Sequence, residues 1–123
     1  MKLFLKIDNT DKRNAIENLC KEIGAESELL LHKDLPRIML DIVSGGTGAN
    51  MNAVSIPQLY TMPELIIFSG FDENNLNEFL KAYKAKGIEK VQLKAVITTF
   101  NLSWTLYDLI EHLKEEAMGV RPL

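Results

Sequence analysis

Lys94 stands in an otherwise apolar run, Leu93-Lys94-Ala95-Val96, and Thr98, Asn101 and Trp104 follow it closely. An ammonium group, a hydroxyl, a carboxamide and an indole suit the binding of an anionic group. Bond making would need paired carboxylates or a nucleophile held by a base, and neither accompanies them. Lys94 is therefore expected either to meet an anionic ligand or to lie on the open face of a sheet beside Gln92, its stem laid along its neighbours. Other reactive residue types are scattered. Cys20 sits in the middle of the stripe Ile16, Leu19, Ile23, where a small buried hydrophobe is expected and a thiolate nucleophile is not. His32 with Asp34, and His112 with Glu116, each offer two metal ligands without a third. Gly45-Gly46-Thr47-Gly48 has the glycine content of an anion cradle, but it follows a helical pattern and lacks both the third glycine of GxGxxG and a Gly-Lys-Ser/Thr. Ser69 is not in a GxSxG elbow. The sequence predicts no catalytic residue, no metal site and no cofactor.

These residues are positioned by a regular series of elements. Leu3, Leu5 and Ile7 alternate with Lys2, Phe4 and Lys6, a strand with one face toward a core. Ile16, Leu19, Cys20 and Ile23 share a helical face over about 10–23, between the cap candidates Asn9-Thr10 and Gly24. The run Leu29-Leu30-Leu31 predicts a short buried strand over 28–32. Asp34 and Pro36 open a second amphipathic helix carrying Leu35, Ile38, Met39, Ile42 and Val43 and stopping at Ser44-Gly45. Residues 45–62 show no period and read as a loop. The order then repeats. Leu65-Ile66-Ile67-Phe68 marks a strand over 64–69, and Asp72 caps a helix with Phe71 and Leu76 as its hydrophobic staple. Leu76, Phe79, Leu80 and Tyr83 form its buried stripe and Gly87 its end. Val91, Leu93, Ala95 and Ile97 alternate as a fourth strand. Asn101 is expected to cap a last helix carrying Leu102, Leu106, Leu109, Ile110 and Leu113. Trp104 would then point away from that stripe, and an indole there needs a cover: the 45–62 loop, a second subunit, or a ligand held with Thr98 and Asn101. The other outcome is an irregular first turn that folds the indole back.

One domain, 1–123, is expected, with half-repeats at about 1–44 and 64–117 joined by the 45–62 loop. Two of the four strands alternate with Lys2, Lys6, Gln92 or Lys94, whereas parallel sheets covered on both faces read as nearly continuous apolar runs. The expected fold is therefore α+β, a ferredoxin-like two-layer sandwich of a duplicated β-α-β(-α) unit; the alternative is a small four-stranded parallel α/β sheet.

Composition narrows the function classes. With 123 residues, 46% of them hydrophobic, the chain supports a core without staples. Fourteen basic against 17 acidic residues, a net charge of −3, give no field for nucleic acid or an anionic membrane surface. A lone cysteine permits no internal disulfide and suits a reducing cytoplasm. No stretch is apolar for long enough to span a bilayer, and the start lacks a signal-peptide core.

The series Phe68-Ser69-Gly70-Phe71, Leu76, Phe79-Leu80, Gly87-Ile88, Leu93-Lys94-Ala95-Val96, Thr98, Asn101, Trp104 resembles a bacterial family known as domain of unknown function 3783. The likeness covers about residues 64–116. It implies no activity, since none is assigned to the family. The expected function is a small non-enzymatic, regulatory domain that binds a protein partner or a small anionic ligand and forms a homo-oligomer. The binding residues would be Lys94, Thr98, Asn101 and Trp104. The alternative is a small enzyme with its site around Lys94, Thr98 and Asn101.

Overall fold

Leu3, Phe4 and Leu5 point alternately to the two sides of one strand, and all three are fully buried. The first strand is therefore interior on both faces. The computed structural model describes residues 1–46 and 55–117. Its elements are β1 (Lys2–Lys6), α1 (Thr10–Glu22), β2 (Glu26–Leu29), α2 (Met39–Val43), β3 (Leu65–Ser69), α3 (Glu73–Ala85), β4 (Leu93–Val96) and α4 (Leu106–Ala117), with a 3-10 turn at His32–Asp34. Thr47 to Asn50, most of the glycine-rich stretch, lie outside the described residues. Among the described residues no helix is long and apolar enough to cross a membrane.

The chain divides into two compact units, residues 1–30 with 63–96 and residues 31–62 with 97–123. The first holds a four-stranded sheet in the order β2-β1-β3-β4. β1 and β2 are parallel, β3 and β4 are parallel, and β1 meets β3 antiparallel with Phe4 opposite Ile67. The sheet is mixed, so neither the interleaved antiparallel ferredoxin-like order nor an all-parallel sheet is formed. Each helix crossover returns the chain parallel to the strand it left, and the two β-α-β units lie side by side rather than interdigitated.

The polar alternation has a different cause from an open sheet face. Lys2 and Lys6 occupy the ends of β1, with buried Phe4 between them. Gln92 lies before β4. The expected buried strand at 28–32 is instead β2, an edge strand with all four residues exposed; of the three leucines only Leu30 is buried.

Leu3, Leu5, Ile66 and Phe68 share one sheet face and form a core with Ile16, Leu19 and Cys20 of α1 and Phe79 of α3. Each such side chain contributes about 1.5–3 kcal/mol by leaving water. Phe68 packs edge-on against Phe71 and Phe79, each with ring centroids 5.2 Å away. Asn9 caps α1 by accepting the Lys12 N–H at 2.9 Å, and Asp72 caps α3 through the Asn75 N–H at 2.7 Å. Gly24, at φ 78°, takes the left-handed turn that ends α1. The Lys12 ammonium, 9% exposed, donates to the Glu64 carboxylate and the Lys90 carbonyl, both at 2.8 Å, and pins α1 to the start of β3.

Cys20 is fully buried, and burial first, then Glu17, pushes its thiol pKa up to about 11. Native protein should therefore react with a thiol reagent at least about 100-fold more slowly than unfolded protein. Equal rates would remove Cys20 from the core.

In the second unit, the helix expected from Asp34 shrinks to Met39–Val43. The backbone of 35–40 pairs with 102–107 instead: Met39 donates to Trp104, Leu40 to Leu102, Leu106 to Arg37 and Tyr107 to Leu35, at 2.8–3.0 Å. These bonds hold Ile38 extended opposite Thr105. The last helix also starts late. Thr105, not Asn101, caps α4, its hydroxyl oxygen accepting the Asp108 N–H at 3.1 Å.

Candidate functional site

Strand pairing decides where Lys94 points. Lys94 is in register with Ile66 and Ile66 with Leu5, so Lys94 shares the face on which α1 and α3 pack. It is not on an open face beside Gln92. β4 is the last strand, and Lys94 therefore stands at the outer margin of the helix-covered face, exposed to solvent.

A groove runs there between α3 and β4, lined by Phe68, Leu76 and Leu80 on one side and by Lys94, Ala95 and Val96 on the other. The lining is almost wholly apolar, and Leu80 and Val96 are 36% and 39% exposed. Lys94 supplies its one charge and forms no ion pair among the described residues. The groove holds about 170 Å³. Small-molecule sites usually run from about 300 to 1,000 Å³, so this groove is small and of a size for one or two apolar side chains. The apolar stripe of α3 was legible in the sequence. That Leu80, beside buried Phe79, would sit at the rim of an edge strand depended on the strand order.

Thr98, Asn101 and Trp104 belong to the second unit. There the structure brings them together in a turn before α4 whose internal hydrogen bonds use the Asn101 carboxamide oxygen and the Thr98 hydroxyl oxygen. The Asn101 carboxamide oxygen accepts the Thr98 N–H at 2.9 Å, the Thr98 hydroxyl oxygen accepts the Phe100 N–H at 3.2 Å, and the Trp104 backbone N–H donates to the Asn101 backbone carbonyl at 3.1 Å. Asn101 is buried. Trp104 precedes α4, so helical phase does not govern it, and its half-buried indole lies over the His112 ring at 4.5 Å. His112 thus acts as cover for the indole. Among the described residues no three metal-ligating side chains cluster.

Two further polar features escaped the sequence reading. A cleft of about 380 Å³ in the first unit is bordered by Asn9, Asp11, Lys12, Lys86 and Glu89. Its basic groups are already committed: Lys12 as described, and Lys86 to Glu22 at 3.1 Å. The second feature is the guanidinium of Arg37, in the second unit. It binds Asp34 and Asp41 at 2.9 Å each and the Gly46 carbonyl at 3.0 Å. Burial opposes its charge, but the two carboxylates more than offset that and hold its pKa above the ordinary value. Every group in this cluster has a partner, which makes it a brace for the 34–46 segment.

Residues 64–118 match the family model described as Domain of unknown function (DUF3783), and the resemblance carried by Phe68 to Trp104 holds for that segment. All six groove residues fall inside the matched segment. No curated protein and no solved structure matches the chain.

Proposed function

We propose, taking the DUF3783 segment as the part that carries the site, that this protein is a non-enzymatic binding module whose groove between α3 and β4 receives a segment of a partner protein. The observation that carries the reading is the groove itself: partly exposed apolar walls, an ammonium with no ion pair among the described residues, and a volume suited to side chains. The small anionic ligand is disfavoured by the almost wholly apolar lining. The enzyme reading is weakened as well, because the Asn101 carboxamide oxygen and the Thr98 hydroxyl oxygen each accept a backbone N–H within their own turn. A reducing cytoplasm agrees with the single buried cysteine, and a regulatory role agrees with a module that binds without reacting.

Isotope-labelled protein should be titrated with peptides selected from a displayed random library, and in parallel with nucleotides, sugar phosphates and free amino acids. The selected peptides are expected to shift the resonances of Leu76, Leu80, Ala95 and Val96. Leu80→Glu should weaken them by about 10-fold or more, because it places a charge in an apolar contact. If a small anion moves these resonances and no peptide does, the small-ligand reading replaces this one.

A further inference from the structure

We infer that the groove between α3 and β4 takes the C-terminus of a partner protein, whose last apolar side chain enters the groove and whose terminal carboxylate meets Lys94. The inference rests on reading the groove as a protein-binding site.

The groove's polar groups supply the first argument. Of its lining residues, Phe68, Leu76, Leu80, Ala95 and Val96 carry apolar side chains, and Lys94 alone carries a polar one. An occupant matches it with an apolar body and a single negative charge. Each further polar group would leave water for side chains that offer it nothing. Lys94 forms no ion pair among the described residues, so its ammonium can meet that charge. Lys84 adds the same sign. It is exposed, forms no ion pair among the described residues, and follows Leu80 by one turn on the same row of α3. As the crossover between two parallel strands, α3 runs back toward the start of β4, so that turn lies toward the Lys94 end of the groove.

Spacing selects a chain end. Lys94 and Val96 lie on one side of β4, two residues or about 7 Å apart, and Val96 is in register with Phe68. The ammonium thus stands about one side chain's breadth from the apolar floor. In a C-terminal residue the carboxylate and the side chain leave the same Cα, so one residue both fills the groove and reaches Lys94. An internal segment that turns a carboxylate and an apolar side chain to the same side must lay at least three extended residues along the groove. Its peptide groups then need partners that the lining side chains do not supply. A chain end brings fewer of them, and the groove's volume of about 170 Å³ suits its one or two side chains.

The test is an NMR titration of the full chain with acetyl-Ser-Gly-Ser-Leu-Leu, which ends in a free carboxylate and should shift Leu76, Leu80 and Ala95. The same peptide ending in an amide should bind about 5-fold more weakly, and so should its isomer acetyl-Ser-Leu-Leu-Ser-Gly, which keeps the charge but moves it from the leucines. Lys94 is exposed, so Lys94→Gln should fold like the parent. It should bind the acid and amide forms within about 2-fold of each other, and Lys94→Glu should reverse the preference. Equal binding of the two forms by the parent, with the groove still shifting, would overturn carboxylate capture and leave the groove reading intact. A preference that survives in Lys94→Gln would do the same. So would equally tight binding of acetyl-Ser-Leu-Asp-Leu-Ser-amide, whose only carboxylate is internal. Groove shifts that grow with protein concentration in the absence of peptide would make the occupant a second copy and overturn the inference. Shifts caused by octanoate and by no peptide would make the occupant an acyl chain and remove both readings, as would a groove that no probe shifts.

Discussion

Arg37→Met is expected to lower the free energy of unfolding by about 3–5 kcal/mol, measured by urea denaturation. The guanidinium is the common partner of two carboxylates whose side chains are 8% and 4% exposed. The free Asp34 oxygen is already committed to the Leu31 N–H at 2.8 Å. Methionine fills much of the volume but leaves both carboxylates buried without a countercharge, and that uncompensated charge, rather than the lost ion pairs, sets the size of the effect. The diagnostic comparison is the triple change Arg37→Met, Asp34→Asn, Asp41→Asn. Removing the charges together should leave a protein more stable than Arg37→Met alone, because the penalty comes from broken pairing. A loss below about 1 kcal/mol for the single change would show that the cluster behaves as a solvated surface pair.

This cluster illustrates where the sequence was informative and where it was not. Asp34 and Pro36 were legible as a helix opening, and the apolar residues Leu35, Met39 and Ile42 are indeed buried. The helix itself begins only at Met39, because the backbone of 35–40 finds partners at 102–107, more than sixty residues away. Periodicity reports which side chains leave water; it does not report which distant backbone groups compete for the same N–H. The same limit displaced the start of α4. Asn101 has the chemistry of a cap and acts as one within its own turn, while Thr105 caps the helix. Elements closed by local signals were read with little error. α1 lies between Asn9 and Gly24, and α3 between Asp72 and Gly87, because cap side chains and left-handed glycines act on the turn next to them.

Strand order was the larger gap, and it governed the site. Lys94 in an apolar strand was visible as unusual, but its face depended on which strand lay beside it and which side the helices chose. With β4 placed at the edge and paired with β3, the lysine moves from an imagined open face to the margin of the helix-covered one. It then joins Leu80 and Val96, residues whose exposure no hydrophobic pattern announces. An apolar residue at the rim of an edge strand has the same sequence signature as one in the core.

Phe79→Ala should cost about 3–5 kcal/mol of stability, the range for emptying a buried aromatic site. The ring is almost fully buried, lies 5.2 Å from Phe68 and 6.2 Å from Phe71, and borders Tyr83 at 6.0 Å. Its loss leaves a void among side chains held by α3 on one side and by the sheet on the other, with little freedom to collapse. Phe79→Leu keeps most of the volume and should cost about 1.5 kcal/mol or less. The comparison also bears on binding, because Phe68 touches Phe79 with one edge and lines the groove with the rest. With that support gone, Phe68 is free to lean into the void and the groove loses its floor. Peptide affinity should therefore fall in Phe79→Ala, under conditions where the variant is fully folded, although Phe79 does not line the groove. It should stay near the parent value in Phe79→Leu. Unchanged affinity in a destabilised but folded Phe79→Ala would show that the groove is set by β4 and Leu80 alone, and that the aromatic cluster serves only the core.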